Sequence, residues 1–331
     1  MTAAVPSPEP DASGWPVLPQ QARPRPPMEV VLRTEEDLLA LAPVVLGFWP
    51  DQDVMMQTYG AARSFHARTD LPFGASEDQA RAMAAAFVGP AVRFEVDAVA
   101  LLFTAADLED ADRVWPTLRE EFHRAGILVI CAIAADGERY RRLDEHPAGG
   151  PRGRLRAYDV SDHPIVLQAL LEGRIGYGSR AEMVAALEPD PSRVSAVVRA
   201  EREAGSRGRQ LSTSALVAVA HAIYDPVPLN PVEVADLLRV IDRDAAWLQL
   251  CGDGGPPAEE ACRFWAAVLP QTPDEYVADV ASVLGFAAWR RGDGAMAWVA
   301  VDRARRAEPG HESAERLAGL LEEAVPPPRP S

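Results

Sequence analysis

The pattern of apolar residues changes once along the chain, near residue 160, and this change limits the folds that the chain can adopt. Before it, short apolar runs such as "EVDAVALLFT" and "GILVICAIAA" alternate with amphipathic segments of helical spacing. After it, we find only segments of helical spacing, joined by short connections. Alternating strands and helices are typical of a layered α/β sheet, and consecutive helices of an all-α bundle. The sequence therefore predicts a mixed α/β domain at residues 28–160 and a helical domain at residues 161–324.

Both ends of the chain are rich in proline and lack periodicity. Residues 1–27 are rich in Pro, Ala and Ser, and the chain closes with "VPPPRPS" from Val325. Segments of this composition bury too little apolar surface to offset the entropy that folding costs. We expect a disordered tail at residues 1–27 and a proline-rich tail at residues 325–331.

Several predicted helices carry recognisable start and stop signals. Thr34 stands three residues before Asp37, which is the spacing of a capping box, and Asn230 precedes Pro231 as an N-cap. The helix in "SEDQARAMAAAFVG" is expected to end at Gly89–Pro90, because proline rarely continues a helix. The runs "DVMMQTYG" and "ARSFHARTDL" predict two strands joined in a hairpin.

The segment "LGFAAWRRGDGAMAWVAVDRARRAEP" has the residue spacing of a tetratricopeptide helix pair. Small residues at Gly285, Ala297 and Ala304 would let two antiparallel helices approach closely, with Gly292 at the turn. Solenoids need about three such units, and we find one. The sequence predicts a single tetratricopeptide-like hairpin packed on the bundle, with a peptide-binding groove as the alternative.

The chain contains no lysine, so all 33 residues counted as Lys plus Arg are arginine. Arginine stays protonated and forms no Schiff base. This excludes a Walker A loop, a kinase phosphate-binding lysine, a pyridoxal phosphate anchor and a Ser-x-x-Lys acylase. We therefore expect none of these cofactor-dependent or lysine-dependent reactions.

Charge, hydropathy and cysteine spacing exclude further classes. The formal net charge of −16 disfavours extended contact with DNA or RNA phosphates. No apolar run approaches the roughly 20 residues of a membrane span, and the N-terminus lacks the features of a signal peptide. Cys131, Cys251 and Cys262 lack CxxC spacing, which argues against a disulfide scaffold or a zinc site. We expect a cytoplasmic protein without a metal, a cofactor, a nucleic acid partner or a membrane anchor.

One segment, "RSFHARTDLP", carries a candidate ligand site. Arg68 and Asp70 lie on the same face of an extended strand, together with His66, and Asp53 begins the strand-like run before them. In one interpretation, Arg68 binds a carboxylate or phosphate at a strand end and Asp70 orients it. In the other, the guanidinium pairs with Asp51, Asp53 or Asp70 and fixes the following turn.

The same segment does not predict a catalytic site. Ser64, His66 and Asp70 stand at alternate positions of one strand, whereas a catalytic triad converges from separate elements and needs an oxyanion hole. The chain has no G-x-S-x-G elbow and no histidine pair at metal-binding spacing. We therefore predict no catalytic residue and no metal ligand.

Three segments of the chain, taken in order, are similar to those of a known family. "DLLALAPVVLGFWPDQDV", "RTDLP" and "LGFAAWRRGDGAMAWVAVDRARRAEP" resemble the actinobacterial family catalogued as domain of unknown function 4192, over residues 28–325. The resemblance implies no activity, substrate or cofactor. Asp53 stands where the family often has Ser, so a role for a hydroxyl group there does not carry over. The positions that match the family pattern are Gly47, Pro50, Arg68, Asp70 and Pro72.

These observations favour a non-catalytic binding or regulatory protein with a protein partner. The alternative is a sensor or enzyme that takes a small anionic ligand at Arg68 and Asp70. A ligand site would show a ligand-dependent gain in stability that is lost when Arg68 is replaced, whereas an interaction protein would show none.

Overall fold

A computed structural model of the chain describes residues 32–61, 65–145, 153–206, 228–243 and 258–327. The described residues form two compact units. The first unit holds those from 32 to 185 together with 320–326, and the second holds those from 186 to 319 together with 327. The predicted tail at residues 1–27, most of a strand predicted at residues 29–33, a helix predicted at residues 214–225 and Cys251 lie outside the described residues.

The first unit is a six-stranded mixed sheet with helices on both faces. Its elements are α1 (Glu35–Leu46), β1 (Asp53–Tyr59), β2 (His66–Asp70), α2 (Glu77–Arg93), β3 (Ala98–Thr104), α3 (Glu109–Arg124), β4 (Leu128–Ala135), β5 (Arg139–Arg142), β6 (Arg156–Ala157), α4 (Pro164–Leu171) and α5 (Arg180–Ala186).

The strand order is β2-β1-β3-β4-β5-β6. β3 and β4 are parallel and are joined by α3, whereas the other neighbouring strands are antiparallel. The predicted hairpin of β1 and β2 is confirmed. β6 pairs with the outer side of β5 and is the terminal strand at that end of the sheet.

Alternate residues of the strands pack against different helices, as the two-residue period of a strand requires. Val54 and Met56 belong to a core that includes residues of α2 and α3. Met55 belongs to a second core that includes residues of α1 and α4. The unit is therefore a three-layer α/β/α sandwich, and α1 begins with the predicted capping box of Thr34 and Asp37.

The prediction that α2 ends at Gly89–Pro90 is wrong, because the helix continues to Arg93. Pro90 lacks the N–H that an interior helical residue donates. The last turn nevertheless buries Ala91 completely. The carbonyl of Pro90 also accepts a hydrogen bond of 3.0 Å from the N–H of Phe94. Packing of this turn against the sheet outweighs the local preference of proline.

The described residues of the second unit form helices and two short 3₁₀ turns. Asn230 caps its second helix as predicted, because its side-chain oxygen accepts from the N–H groups of Val232 and Glu233. The elements are α6 (Pro191–Ser206), α7 (Pro231–Arg243), α8 (Ala258–Val268), the turns Leu269–Gln271 and Asp274–Tyr276, α9 (Val277–Arg291), α10 (Gly294–Ala307) and α11 (Glu312–Glu322). The last three residues of α11 belong to the first unit.

α9 and α10 form a close helical hairpin. Gly292 ends α9 in the left-handed conformation, with φ of 83°. A Cβ atom added at Gly285 would lie 2.6 Å from a methyl carbon of Leu317, so any larger residue would force this buried side chain to shift. The tetratricopeptide-like character of this pair stays a prediction.

No helix within the described residues is long and apolar enough to span a lipid bilayer.

Candidate functional site

The predicted site lies at one end of the sheet, on the face that packs against α1 and α4. The register pairs Asp53 with Asp70 and Met55 with Arg68, so the three polar side chains share the face of Met55. Asp53 also pairs with Thr104, the last residue of β3. The carboxyl ends of parallel strands are where α/β sheets usually bind ligands, and the predicted site lies at that end.

Arg68 forms ion pairs with two carboxylates. Its Nε lies 2.6 Å from Asp53 Oδ1, and its Nη2 contacts the same carboxylate and lies 2.5 Å from Asp70 Oδ1. The side chains of Asp53, Arg68 and Asp70 are 2%, 18% and 69% exposed. The Arg68–Asp53 pair is therefore nearly buried, and Asp70 closes it on the solvent side.

The buried carboxylate of Asp53 is fully hydrogen-bonded within the chain. Its Oδ2 accepts from the N–H of Asp51 at 3.0 Å, and its Oδ1 accepts from Arg68. The N–H of Asp53 donates to Thr104 Oγ1 at 3.2 Å. Because both carboxylate oxygens have donors from the chain itself, Asp53 holds the start of β1 in place.

A second buried carboxylate, that of Asp110 in the first turn of α3, joins the loops around this end of the sheet. Gln52 Nε2 donates to Asp110 Oδ2 and to the carbonyl of Leu71, each at 3.1 Å. The N–H of Gly74 donates to Asp110 Oδ1 at 2.7 Å. Gln52 and Gly74 are distant from Asp110 in the chain, so the sequence carries no local sign of this contact.

His66 is not joined to the other three residues. It pairs with Gln57, two positions along the strand from Arg68, and it is exposed. Desolvation lowers its pKa to about 4. The ordinary pKa of histidine already lies below 7. A further decrease therefore leaves the imidazole of His66 neutral at pH 7. The structure therefore brings together Arg68, Asp53 and Asp70 and leaves His66 beside them.

A row of Ser, His and Asp side chains occurs in the second unit, and no motif of the sequence predicts it. Ser282 Oγ lies 3.2 Å from His311 Nδ1, and His311 Nε2 lies 3.2 Å from Asp279 Oδ1. Ser282 and Asp279 are three residues apart on α9, and His311 precedes α11. A short stretch of sequence does not reveal such a row, because its third member arrives from another element.

This row does not have the properties of a catalytic triad. Ser282 is fully buried, and its hydroxyl donates to the carbonyl of Ala278 at 2.7 Å. A nucleophile needs access to its substrate and must pass its proton to the histidine. The row therefore links α9 to the start of α11, and its hydroxyl proton is held by the helix backbone.

The outer face of α4 is a second candidate site. Leu167, Leu170 and Leu171 are 44%, 48% and 90% exposed, at the i, i+3 and i+4 positions of one helix face. The inner face buries Val166 and Ala169 in the core shared with α1. α4 is thus apolar on both faces. We call Leu167, Leu170 and Leu171 the α4 outer face.

The start of α4 is fixed to the start of α1. His163 is the N-cap of α4, and its Nδ1 accepts from the N–H of Ile165 at 3.3 Å. Its Nε2 lies 3.2 Å from Asp37 Oδ1. Because both ring nitrogens are engaged, the helix that carries the α4 outer face has a defined position on the first unit.

The fold and its polar cluster define a class of protein: a three-layer α/β unit followed by a helical unit, with no reaction assigned. The chain matches the family described as Domain of unknown function (DUF4192) over residues 36–328, nearly its whole length, and it belongs to that family. This confirms the family resemblance of the sequence. Comparison with curated proteins finds no match, and neither does comparison with solved structures.

Proposed function

We propose that the chain is a cytoplasmic, non-catalytic binding protein that takes a protein partner on the α4 outer face. The observation that carries this proposal is the exposure of Leu167, Leu170 and Leu171 on a helix whose other face is already buried. A surface helix normally turns polar residues to the solvent. Contiguous exposed apolar residues on a folded chain mark interaction sites.

The size of the α4 outer face supports a reversible contact. Three leucines provide a few hundred Å² of apolar surface at most, whereas a stable interface buries about 800 Å² on each partner. At about 25 cal/mol per Å² the leucines favour association by several kcal/mol before the entropic cost of binding. A helix laid along α4 is the partner geometry that three residues at this spacing fit.

The charge of the chain supports a basic partner. The chain carries a net charge of −16. Asp159 and Asp162 are exposed just before α4, and Glu172 follows its last residue. A basic amphipathic helix would place its apolar side on the leucines and its cations near these carboxylates. The free thiols of Cys131 and Cys262 support a reducing, cytoplasmic environment.

A helical peptide with Leu along one face and Arg along the opposite face tests this proposal. A fluorescent peptide of about 18 residues, or five helical turns, is titrated with the full chain and followed by anisotropy. We expect binding in the micromolar range, with no binding of a scrambled peptide of identical composition. The Leu167→Glu, Leu171→Glu double variant is expected to bind at least about tenfold more weakly, a loss of ~1.4 kcal/mol.

The control is a Val92→Glu, Leu128→Glu double variant of the full chain. It adds the same charge at two other exposed apolar residues of the first unit. It is expected to bind the peptide as the wild type does. Equal weakening by both double variants, or equal binding of the scrambled peptide, would show that only the net charge matters and would overturn the proposal.

A further inference from the structure

We infer that β2 pairs antiparallel with β2 of a second copy of this chain, so that two sheets join across a two-fold axis. β2 is the terminal strand of the six-stranded order, and no strand of the described chain pairs with its outer side. The opposite terminal strand, β6, is only two residues long, whereas β2 has five. This surface is separate from the α4 outer face, and the inference does not depend on it.

The backbone of β2 presents a regular set of hydrogen-bonding groups that no other strand of the described residues engages. Leu71 donates to the carbonyl of Gln52, and Thr58 donates to the carbonyl of Phe65. In an antiparallel ladder these bonds fall on alternate residues, so the odd-numbered residues of β2 bond to β1. The N–H and C=O groups of His66, Arg68 and Asp70 therefore point away from the sheet. Such an edge is the template on which another strand adds.

The sequence of this edge is complementary to itself. If the two-fold axis passes beside Arg68, antiparallel pairing sets His66 opposite the partner's Asp70, and Asp70 opposite the partner's His66. His66 and Asp70 are both exposed, so each can form a cross-strand hydrogen bond. A neutral imidazole N–H donating to an ionised carboxylate is a charge-assisted bond. The pairing thus places two such bonds on one face of the joined sheet.

The same register sets Arg68 opposite the partner's Arg68, which by itself is unfavourable. Each guanidinium is held by Asp53 and Asp70 of its own chain, however, so its charge is already balanced. The repulsion between the two guanidinium groups is therefore reduced in this register.

An exposed aromatic residue lies next to this edge. Phe73 follows β2 by three residues and is 79% exposed. The end of an antiparallel partner strand would lie beside this part of the edge. Burial of a large aromatic side chain adds apolar area to an interface that is otherwise polar.

Paired cysteines test the register directly. In this pairing Ala67 and the partner's Thr69 form a non-hydrogen-bonded pair, whose Cα atoms lie about 4.5 Å apart, within the range of a disulfide. The Ala67→Cys, Thr69→Cys double variant is expected to form a covalent dimer under mild oxidation. Each single variant places the new thiol opposite a residue other than cysteine, and it also controls for the natural cysteines. Covalent dimer in equal yield from the singles and the double would overturn the register.

A charge change at His66 tests the assembly without new thiols. Sedimentation velocity of the wild-type chain is expected to show a concentration-dependent dimer. His66→Glu sets a carboxylate opposite the partner's Asp70 and is expected to weaken the dimer at least tenfold. The control is His123→Glu, which makes the same substitution at an exposed position of α3. It is expected to leave the affinity of the dimer unchanged. A wild-type chain that stays monomeric, or a dimer unaffected by His66→Glu, would refute the inference.

Discussion

At the scale of single residues, the ion pair of Arg68 with Asp53 holds together one end of the sheet. Asp53 is almost fully buried, whereas Asp70 on the other side of the guanidinium is mostly exposed. A buried charge that loses its partner keeps the full cost of its desolvation, whereas an exposed one regains water. The two carboxylates that share Arg68 therefore contribute very differently to stability.

Arg68→Met is expected to lower the free energy of unfolding by about 3 kcal/mol, because it leaves the carboxylate of Asp53 buried without its cation. Asp70→Asn is expected to lower it by less than about 1 kcal/mol, because the exposed pair is screened by solvent. Urea unfolding followed by circular dichroism measures both. Equal losses from the two substitutions would contradict the division of roles.

The same pair of variants addresses the alternative ligand site at Arg68. An anion that binds there has to share the guanidinium with Asp53 and displace Asp70. Thermal unfolding against a panel of nucleotides, acyl-CoAs, sugar phosphates and amino acids would then show a midpoint increase in the wild type. A shift that is present in Asp70→Asn and absent in Arg68→Met would establish an anion site. We expect no shift in any of the three proteins.

Gly60 is a position where only glycine fits the backbone. Its φ is +79°, and an added Cβ would lie 2.5 Å from the Cβ of Asp97. Gly60→Ala is expected to cost about 1–3 kcal/mol of unfolding free energy. Gly319→Ala is the matched control, because Gly319 lies inside α11 with no atom within 4 Å of an added Cβ. It is expected to stabilise the chain by about 0.5–1 kcal/mol, and destabilisation by both would contradict this reasoning.

At the scale of elements, the start of α1 is fixed by one carboxylate that several groups share. Asp37 Oδ2 accepts from the N–H groups of Arg33 and Thr34 at 2.7 and 2.8 Å. Its Oδ1 lies near His163, the N-cap of α4. Asp37 therefore holds the N-termini of two neighbouring helices, and its protonation weakens both attachments.

Asp37 is expected to make the stability of the first unit depend on pH. Burial raises the pKa of Asp37, but hydrogen bonds from Arg33 and Thr34 outweigh burial and bring the pKa below its ordinary value. Because the folded-state pKa is lower than the unfolded-state pKa, the contribution is fully present above the unfolded-state value. It is lost as pH falls through the folded-state value.

The measurement compares the wild type with Asp37→Asn in urea at pH 7 and at a series of acidic pH values. We expect the variant to be less stable by about 1.5–3 kcal/mol at pH 7, with the difference shrinking below about pH 4. Asp78→Asn is the control, since Asp78 is almost fully exposed on α2. A difference for Asp37→Asn that stays constant with pH would contradict this role for the carboxylate.

At the scale of the whole molecule, each of the two units contains one free cysteine among the residues that the structure describes. Burial raises the pKa of Cys131 to about 11 in the first unit, where nearby Arg142 opposes the shift. Burial raises the pKa of Cys262 to about 12 in the second unit. At pH 8 the reactive thiolate of either residue is therefore scarce while its unit is folded. The two thiols can report separately on unfolding.

Alkylation in increasing urea at pH 8 is expected to modify the two thiols at different midpoints, because each unit has its own core. A Cys251→Ser background removes the third thiol, and mass spectrometry of the peptides identifies the site. Glutathione in the same urea solutions controls for the reactivity of the reagent. Identical midpoints for Cys131 and Cys262 would show that the chain unfolds as one cooperative unit.

The sequence by itself determined the order of elements and many of their ends. The strand-like run "DVMMQTY" and the helical spacing after Thr34 are local properties, set by steric preference and by the spacing of apolar residues. The sequence also predicted that Arg68 and Asp70 share a face, because alternate residues of a strand always do. It left open whether Arg68 binds a ligand or a neighbouring carboxylate.

Only the tertiary structure decided which groups meet across the chain. The pairing of β1 with β3 sets Asp53 beside Thr104, and the fold brings Gln52 to Asp110 and His311 to Ser282. Tertiary packing also extends α2 beyond Pro90, and no part of the described fold buries Leu171. These outcomes depend on burial and on contacts between residues distant in sequence. Their free energies exceed local preferences and leave no trace in any short segment.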